Sequence, residues 1–145
     1  TASLSGASAG ITATGSVTNL AQGGNNNTSL VVGMNTATAG ARSGTATLNL
    51  TSTGAGTSGL ADLPLTGQTI NVSGNVYNLA VGSTTPSPVV IGNQRVGGSN
   101  SQVLTVANSA PAGSFTEVLN ASFGANTGSA TNNGGSIAGA RAPGR

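Results

Sequence analysis

The sequence contains no cysteine, no histidine and no lysine. The absence of cysteine excludes disulfides and thiolate chemistry, and the absence of histidine removes the commonest catalytic base and metal ligand. A serine or threonine nucleophile needs a base beside it, and neither histidine nor lysine is present to act as one. We therefore expect that the chain is not an enzyme and that it binds no cofactor and no metal.

Carboxylates are almost absent as well. Asp62 and Glu117 are the only two, and they lie far apart in the sequence, so paired acid–base catalysis would require this single pair to meet in one cleft. We expect instead an aspartate in a loop and a glutamate at a strand edge, both on solvated faces. No cluster of acidic residues predicts a calcium site.

Positive charge is sparse and scattered over Arg42, Arg95, Arg141 and Arg145. Nucleic-acid binding requires clustered cations that displace counterions from phosphates, so no nucleic-acid partner is predicted. Arg42 and Arg95 lie next to turn motifs, where we expect the guanidinium to bond loop carbonyls. The apolar runs reach only three or four residues, so no transmembrane segment is predicted.

Aromatic residues are limited to Tyr77, Phe115 and Phe123. A carbohydrate-binding face would need exposed rings, whereas rings at strand spacing usually belong to the core. We therefore expect Tyr77 and Phe123 to be core residues.

Glycine is abundant, at 24 residues, and serine, threonine and asparagine are also frequent. The strongly apolar residues are few, which is typical of disordered chains, but disorder of that kind usually also requires high net charge, and the net charge here is only +2. The apolar residues are mostly leucine or β-branched, and they alternate with polar residues. This composition predicts a folded β-protein with a thin core.

Alternation of apolar and polar residues predicts the strands. The clearest one covers residues 45–51, and a change of parity after Val72 predicts a β-bulge near Gly74 or Asn75. Other strands are predicted at 2–4, 11–13, 30–34, 70–79, 89–91, 102–107 and 117–123. With Gly- and Asn-rich turns between the strands and no amphipathic helix, the pattern predicts an all-β immunoglobulin-like sandwich of about seven to nine short strands.

An internal repeat with a period of about 120 residues runs through the chain. Residues 120–124 (NASFG) restate 1–5 (TASLS), residues 135–137 restate 15–17, and residues 141–144 fall where 20–23 fall. Residues 120–145 therefore duplicate 1–25. We interpret 1–80 as the closing half of one repeat and 81–145 as the opening half of the next.

Several of these segments resemble a known family. Residues 16–23 (SVTNLAQG) and 39–48 (AGARSGTATL) resemble the later half of the choice-of-anchor D type of bacterial Ig-like repeat. Residues 90–97 (VIGNQRVG) and 104–108 (LTVAN) are similar to its opening half. The resemblance covers nearly the whole chain in permuted order and implies a spacer or interaction module in a large secreted or surface protein of bacteria.

These features predict a structural segment of an extracellular bacterial filament, stalk or adhesin. Copies of the segment would join head to tail, either as a covalent tandem array or by strand complementation between separate chains. The alternative is an Ig-like module that binds a glycan or a matrix protein. The strands expected to make contacts between units carry Ala2, Leu4, Leu119, Ala121, Phe123 and Ile137.

Overall fold

The computed structural model describes residues 1–142 and contains ten β-strands within them, with no helix. The strands are β1 (Ala2–Ser5), β2 (Ile11–Thr14), β3 (Ser16–Val17), β4 (Val31–Met34), β5 (Gly40–Ser52), β6 (Leu63–Val76), β7 (Gly82–Thr85), β8 (Thr105–Asn108), β9 (Leu119–Ser122) and β10 (Ser136–Ala140). All strand pairs are antiparallel. The prediction of an all-β chain without helices is confirmed, although β5 and β6 are much longer than the short strands expected.

The chain divides into two units, of which the first is Thr1–Val76 and the second begins at Tyr77. The first unit contains a four-stranded sheet with the order β3-β1-β5-β6. Its centre is the long β5–β6 ladder, in which Gly40 lies opposite Val76 at one end and Ser52 opposite Leu63 at the other.

The β-bulge lies at a different position from the one predicted. Gly74 and Asn75 pair in register with Arg42 and Ala41, whereas the register shifts between Leu48 and Leu50. The prediction near Gly74 was wrong because Val76 keeps the parity of Ile70 and Val72. The change of parity therefore comes after Val76, where β6 ends and the second unit begins.

A second sheet, β2 and β4, packs on one face of the large sheet. Ile11 of β2 and Ala46 of β5 are buried between the two sheets, and the backbone N–H of Ser8 donates to the carbonyl of Thr45 at 2.9 Å. Gly44 allows this close approach, because a Cβ at that position would lie 2.8 Å from Ser8 Cβ and 2.9 Å from Ile11 Cγ1. The first unit is thus a sandwich of two antiparallel sheets with a thin core.

The second unit contains two hairpins, β7–β8 and β9–β10. Asn108, at the end of β8, is completely buried, and its side chain connects the hairpins. Asn108 Oδ1 accepts from the backbone N–H of Val81 at 3.1 Å and of Ala110 at 3.2 Å, and Nδ2 donates to the carbonyls of Glu117 at 3.0 Å and Ala140 at 3.4 Å.

One predicted strand is not formed. Residues 89–91 are irregular, and Val90 is largely exposed. Their apolar character suits a strand, but Pro86 and Pro88 precede the segment and no partner strand lies beside it among residues 1–142. The prediction was wrong because a strand requires a partner as well as a suitable sequence.

Candidate functional site

The residues predicted to make contacts between successive repeats or chains belong to the two copies of the segment that is duplicated within this chain. Ala2 and Leu4 lie on β1, in the first unit. In the second unit, Leu119 and Ala121 lie on β9, Phe123 directly follows it, and Ile137 lies on β10.

The two copies form the same antiparallel pairing. In the first copy Ala2 lies opposite Val17 and Ser3 opposite Ser16. In the second copy the equivalent residues pair in the same way, Ala121 with Ile137 and Ser122 with Ser136. The two copies therefore share the register of their strand pairing as well as their sequence.

The match continues beyond the strand ends. The backbone N–H of Leu4 donates to the carbonyl of Gly15 at 3.2 Å, and the N–H of its equivalent Phe123 donates to the carbonyl of Gly135 at 3.3 Å. Asn19 has a left-handed backbone with φ of 52°, and Gly139 takes that conformation in the second copy with φ of 71°. Left-handed geometry is uncommon for residues other than glycine, and Asn19 adopts it at the position equivalent to Gly139.

The copies differ in what lies on the other side of the hairpin. In the first copy β1 is flanked by β3 on one edge and by β5 on the other. In the second copy β9 pairs with β10 alone among the described residues. We call the backbone edge of residues 119–124 that faces away from β10 the β9 edge.

The apolar side chains follow this difference. Leu4 and Val17 are half-buried in the first copy, whereas their equivalents Phe123 and Ile137 are 47% and 42% exposed. Residues 120–122 and 136–138 line an open groove of about 270 Å³ on the second hairpin. The second copy thus presents the apolar residues of a sheet interior to solvent.

The expectation that Tyr77 and Phe123 are core residues was wrong. Phe123 is exposed because its hairpin has only two strands in the described structure, so no further strand covers the ring. Tyr77 is 49% exposed, and its ring lies beside the tilted ring of Phe115 at a centroid distance of 5.5 Å.

The carboxylates lie in separate units. Asp62 is exposed in the loop that precedes β6, and Glu117 is exposed before β9, where its backbone N–H donates to the carbonyl of Asn78. Within residues 1–142, no group of three or more aspartate, glutamate, histidine or cysteine side chains could hold a metal ion.

Arg42 bonds loop carbonyls, as expected. Its Nη2 donates to the carbonyl of Thr38 at 2.6 Å, and Nη1 donates to that of Ala41 at 3.2 Å. The guanidinium therefore secures the turn that leads into β5. The Pro143–Gly144 part of the duplicated turn lies outside the described residues.

Asn108 is a residue that sequence reasoning did not single out. Leu104 and Val106 are the apolar residues of one face of the strand predicted at 102–107, and Asn108 has the same parity. A polar residue that continues an inward-facing series predicts a buried side chain with backbone partners, and this signal was present in the sequence.

In the described part of the chain, no helix has the length and apolar character needed to cross a membrane. Comparison of the chain with family models, with curated proteins and with solved structures gave no match.

Proposed function

We propose that the chain is a structural unit of an extracellular bacterial filament, stalk or adhesin whose units join head to tail. The chain offers backbone and apolar contacts in place of reactive side chains, because histidine, cysteine and lysine are all absent. The resemblance to repeats of large secreted proteins supports an extracellular location on the bacterial surface.

The observation that carries the proposal is the difference between the two duplicated hairpins. In the first unit the duplicated hairpin belongs to a four-stranded sheet, in which β1 is an inner strand, whereas in the second unit it forms a sheet of two strands. An open strand edge with uncovered apolar side chains is a site for adding another strand. In a head-to-tail structure, the next repeat or chain would supply the strand that pairs with this edge.

Sedimentation velocity and negative-stain electron microscopy of the purified chain test the proposal. We expect the average mass to rise with concentration above the 13.6 kDa of one chain, and we expect regular fibres in the images. A single species of one-chain mass at every concentration, with no fibres, would contradict head-to-tail joining of separate chains.

The mass of the denatured natural material distinguishes the two forms of the proposal. A species near 13.6 kDa supports separate subunits that complement one another. A single polypeptide several times larger supports a covalent tandem array.

A second candidate is a glycan-binding module, and the surroundings of Tyr77 favour it. The ring is half exposed beside Ser114, Thr116 and Glu117, which line an open depression of about 560 Å³. An exposed ring beside hydroxyl and carboxylate groups can stack on a sugar and bond its hydroxyls. Retention on a glycan array that is lost in Tyr77→Ala would support this role, and the absence of retention by the unaltered chain would contradict it.

A further inference from the structure

We infer that the β9 edge pairs with β5 of a second copy of this chain, in the antiparallel register that β1 adopts in its own chain. The inference rests on the proposed function and specifies the contact between successive units. In the receiving copy, β9 takes the place of β1, which is displaced from β5.

The duplication fixes the register of this pairing. In the first unit, Ala2 lies opposite Leu50, Ser3 opposite Asn49, Leu4 opposite Leu48 and Ser5 opposite Thr47. Replacing each β1 residue by its duplicate pairs Ala121 with Leu50, Ser122 with Asn49, Phe123 with Leu48 and Gly124 with Thr47.

The backbone geometry of the donor hairpin suits the exchange. β1 and β9 each pair on their other edge with an equivalent strand, β3 and β10, in the same register. The flanking hydrogen bonds of Leu4 and Phe123 agree within 0.1 Å, at 3.2 Å and 3.3 Å. β9 therefore presents to β5 a strand of the same kind as β1. The number of backbone hydrogen bonds to β5 is conserved when one replaces the other.

The incoming β9 and β10 carry larger apolar side chains than the β1 and β3 that they replace. Phe123 replaces Leu4, and Ile137 of the accompanying β10 replaces Val17, so both apolar positions become larger. Both are substantially exposed before pairing, at 47% and 42%. One bond is lost, because Asn49 Nδ2 donates to Ser5 Oγ at 2.7 Å and Gly124 has no side chain to replace it.

In every copy β5 is flanked by β1 and β6, so the β9 edge of a neighbouring copy reaches β5 only by displacing β1. Each copy has one β9 edge to donate and one β5 to receive. Such a contact joins two different surfaces, so it repeats from copy to copy and generates a closed ring or an open series of chains.

Introduced cysteines test the register directly, because the chain has none of its own. Opposite residues of an antiparallel pair lie within disulfide range. A Ser122→Cys chain mixed with an Asn49→Cys chain under mild oxidation is expected to give a covalent heterodimer on a non-reducing gel.

The matched control is Asn71→Cys, an exposed asparagine on the outer strand β6 of the same sheet. Mixed with Ser122→Cys, it is expected to give much less heterodimer than Asn49→Cys gives. Equal yields from the two mixtures, or no heterodimer with Asn49→Cys, would overturn the inferred register.

A covalent lock tests whether β1 must leave. Ser3 and Asn49 lie opposite each other in one chain, so oxidation of a Ser3→Cys, Asn49→Cys double variant ties β1 to its own β5. We expect the oxidised variant to remain at one-chain mass in sedimentation and the reduced variant to assemble. Circular dichroism of both forms checks that each is folded.

The outcomes separate this inference from the proposed function. Assemblies that form equally well in the locked variant would overturn strand exchange at β5 and leave head-to-tail joining in place. If the unaltered chain forms no assemblies and the Ser122→Cys and Asn49→Cys chains form no cross-link, both proposals fail.

Discussion

Gly44 controls the distance between the two sheets of the first unit. An added Cβ would lie 2.8 Å from Ser8 Cβ and 2.9 Å from Ile11 Cγ1, both on segments that the backbone holds in place. Gly74 is different, because its added Cβ would meet the end of the Met34 side chain, which can move. The same substitution therefore has different costs at these two glycines.

We predict that Gly44→Ala lowers the free energy of unfolding of the first unit. Overpacking costs about 1–3 kcal/mol, which exceeds the roughly 0.4–1 kcal/mol gained by restricting the unfolded chain. Urea denaturation followed by circular dichroism measures the change. Gly92→Ala is the matched control, because its added Cβ would have no atom within 4 Å, and a loss of stability there as large as at Gly44 would contradict the explanation.

Asn108 is the residue on which the second unit depends most for its polar contacts. Truncation in Asn108→Ala removes both the acceptor for two backbone N–H groups and the donor for two carbonyls. Buried groups left unpaired are expected to cost about 2–4 kcal/mol in total. Thermal unfolding of this variant beside Asn93→Ala, at an exposed asparagine, measures the loss, and equal midpoints for the two variants would show that the network contributes little.

At the scale of the elements, β5 is the strand around which the first unit is built. It pairs with β1 on one edge and β6 on the other, and Ala46 at its centre is completely buried. β7, by contrast, pairs only with β8 in the described structure and is exposed along its whole length.

We predict that hydrogen exchange is slowest for amides in the middle of β5 and fast for those of β7. Amides that are bonded between two strands exchange only when a larger part of the sheet opens. Mass-spectrometric measurement on dilute protein gives the protection of each segment. Equal protection of residues 44–50 and 82–85 would contradict the central role of β5.

The alternation of residues was sufficient to predict some strands, and others depended on contacts that the local sequence does not encode. Residues 45–51 alternate clearly and lie inside β5, whereas the polar sequence Gly-Ser-Thr-Thr of β7 has no apolar face and was not predicted. The apolar residues 89–91 show the opposite case, a strand-like sequence without a partner.

The candidate site was predicted in part, because a repeat identifies equivalent residues without showing what surrounds them. Ala121 and Ile137 could be matched to Ala2 and Val17 from the sequence. The exposure of Phe123 could not be predicted, since it depends on which strands flank each copy. Composition and spacing alone contain no information about that difference.

For the whole molecule, the balance between buried and exposed apolar surface supports the proposed association of copies. Among residues 1–142, the buried apolar residues are only Ile11, Ala46, Ala110 and Ala142, whereas many leucines and valines remain exposed. A chain with so thin a core has apolar surface left to bury against other copies. With few charged side chains, little electrostatic repulsion opposes this association.

Phe123→Asp tests the association with little disturbance of the single chain. Since the ring is already 47% exposed, we expect a small effect on folding, but pairing would place an unpartnered carboxylate opposite Leu48 of the next copy. A penalty of about 2.7 kcal/mol corresponds to a roughly 100-fold weaker association constant, and we expect at least this loss in sedimentation equilibrium. Val96→Asp adds the same charge at a fully exposed position and is expected to associate like the unaltered chain. If the two variants weaken association equally, net charge and not the β9 edge controls it, because Phe123 lies on the β9 edge that the neighbouring copy would cover and Val96 does not.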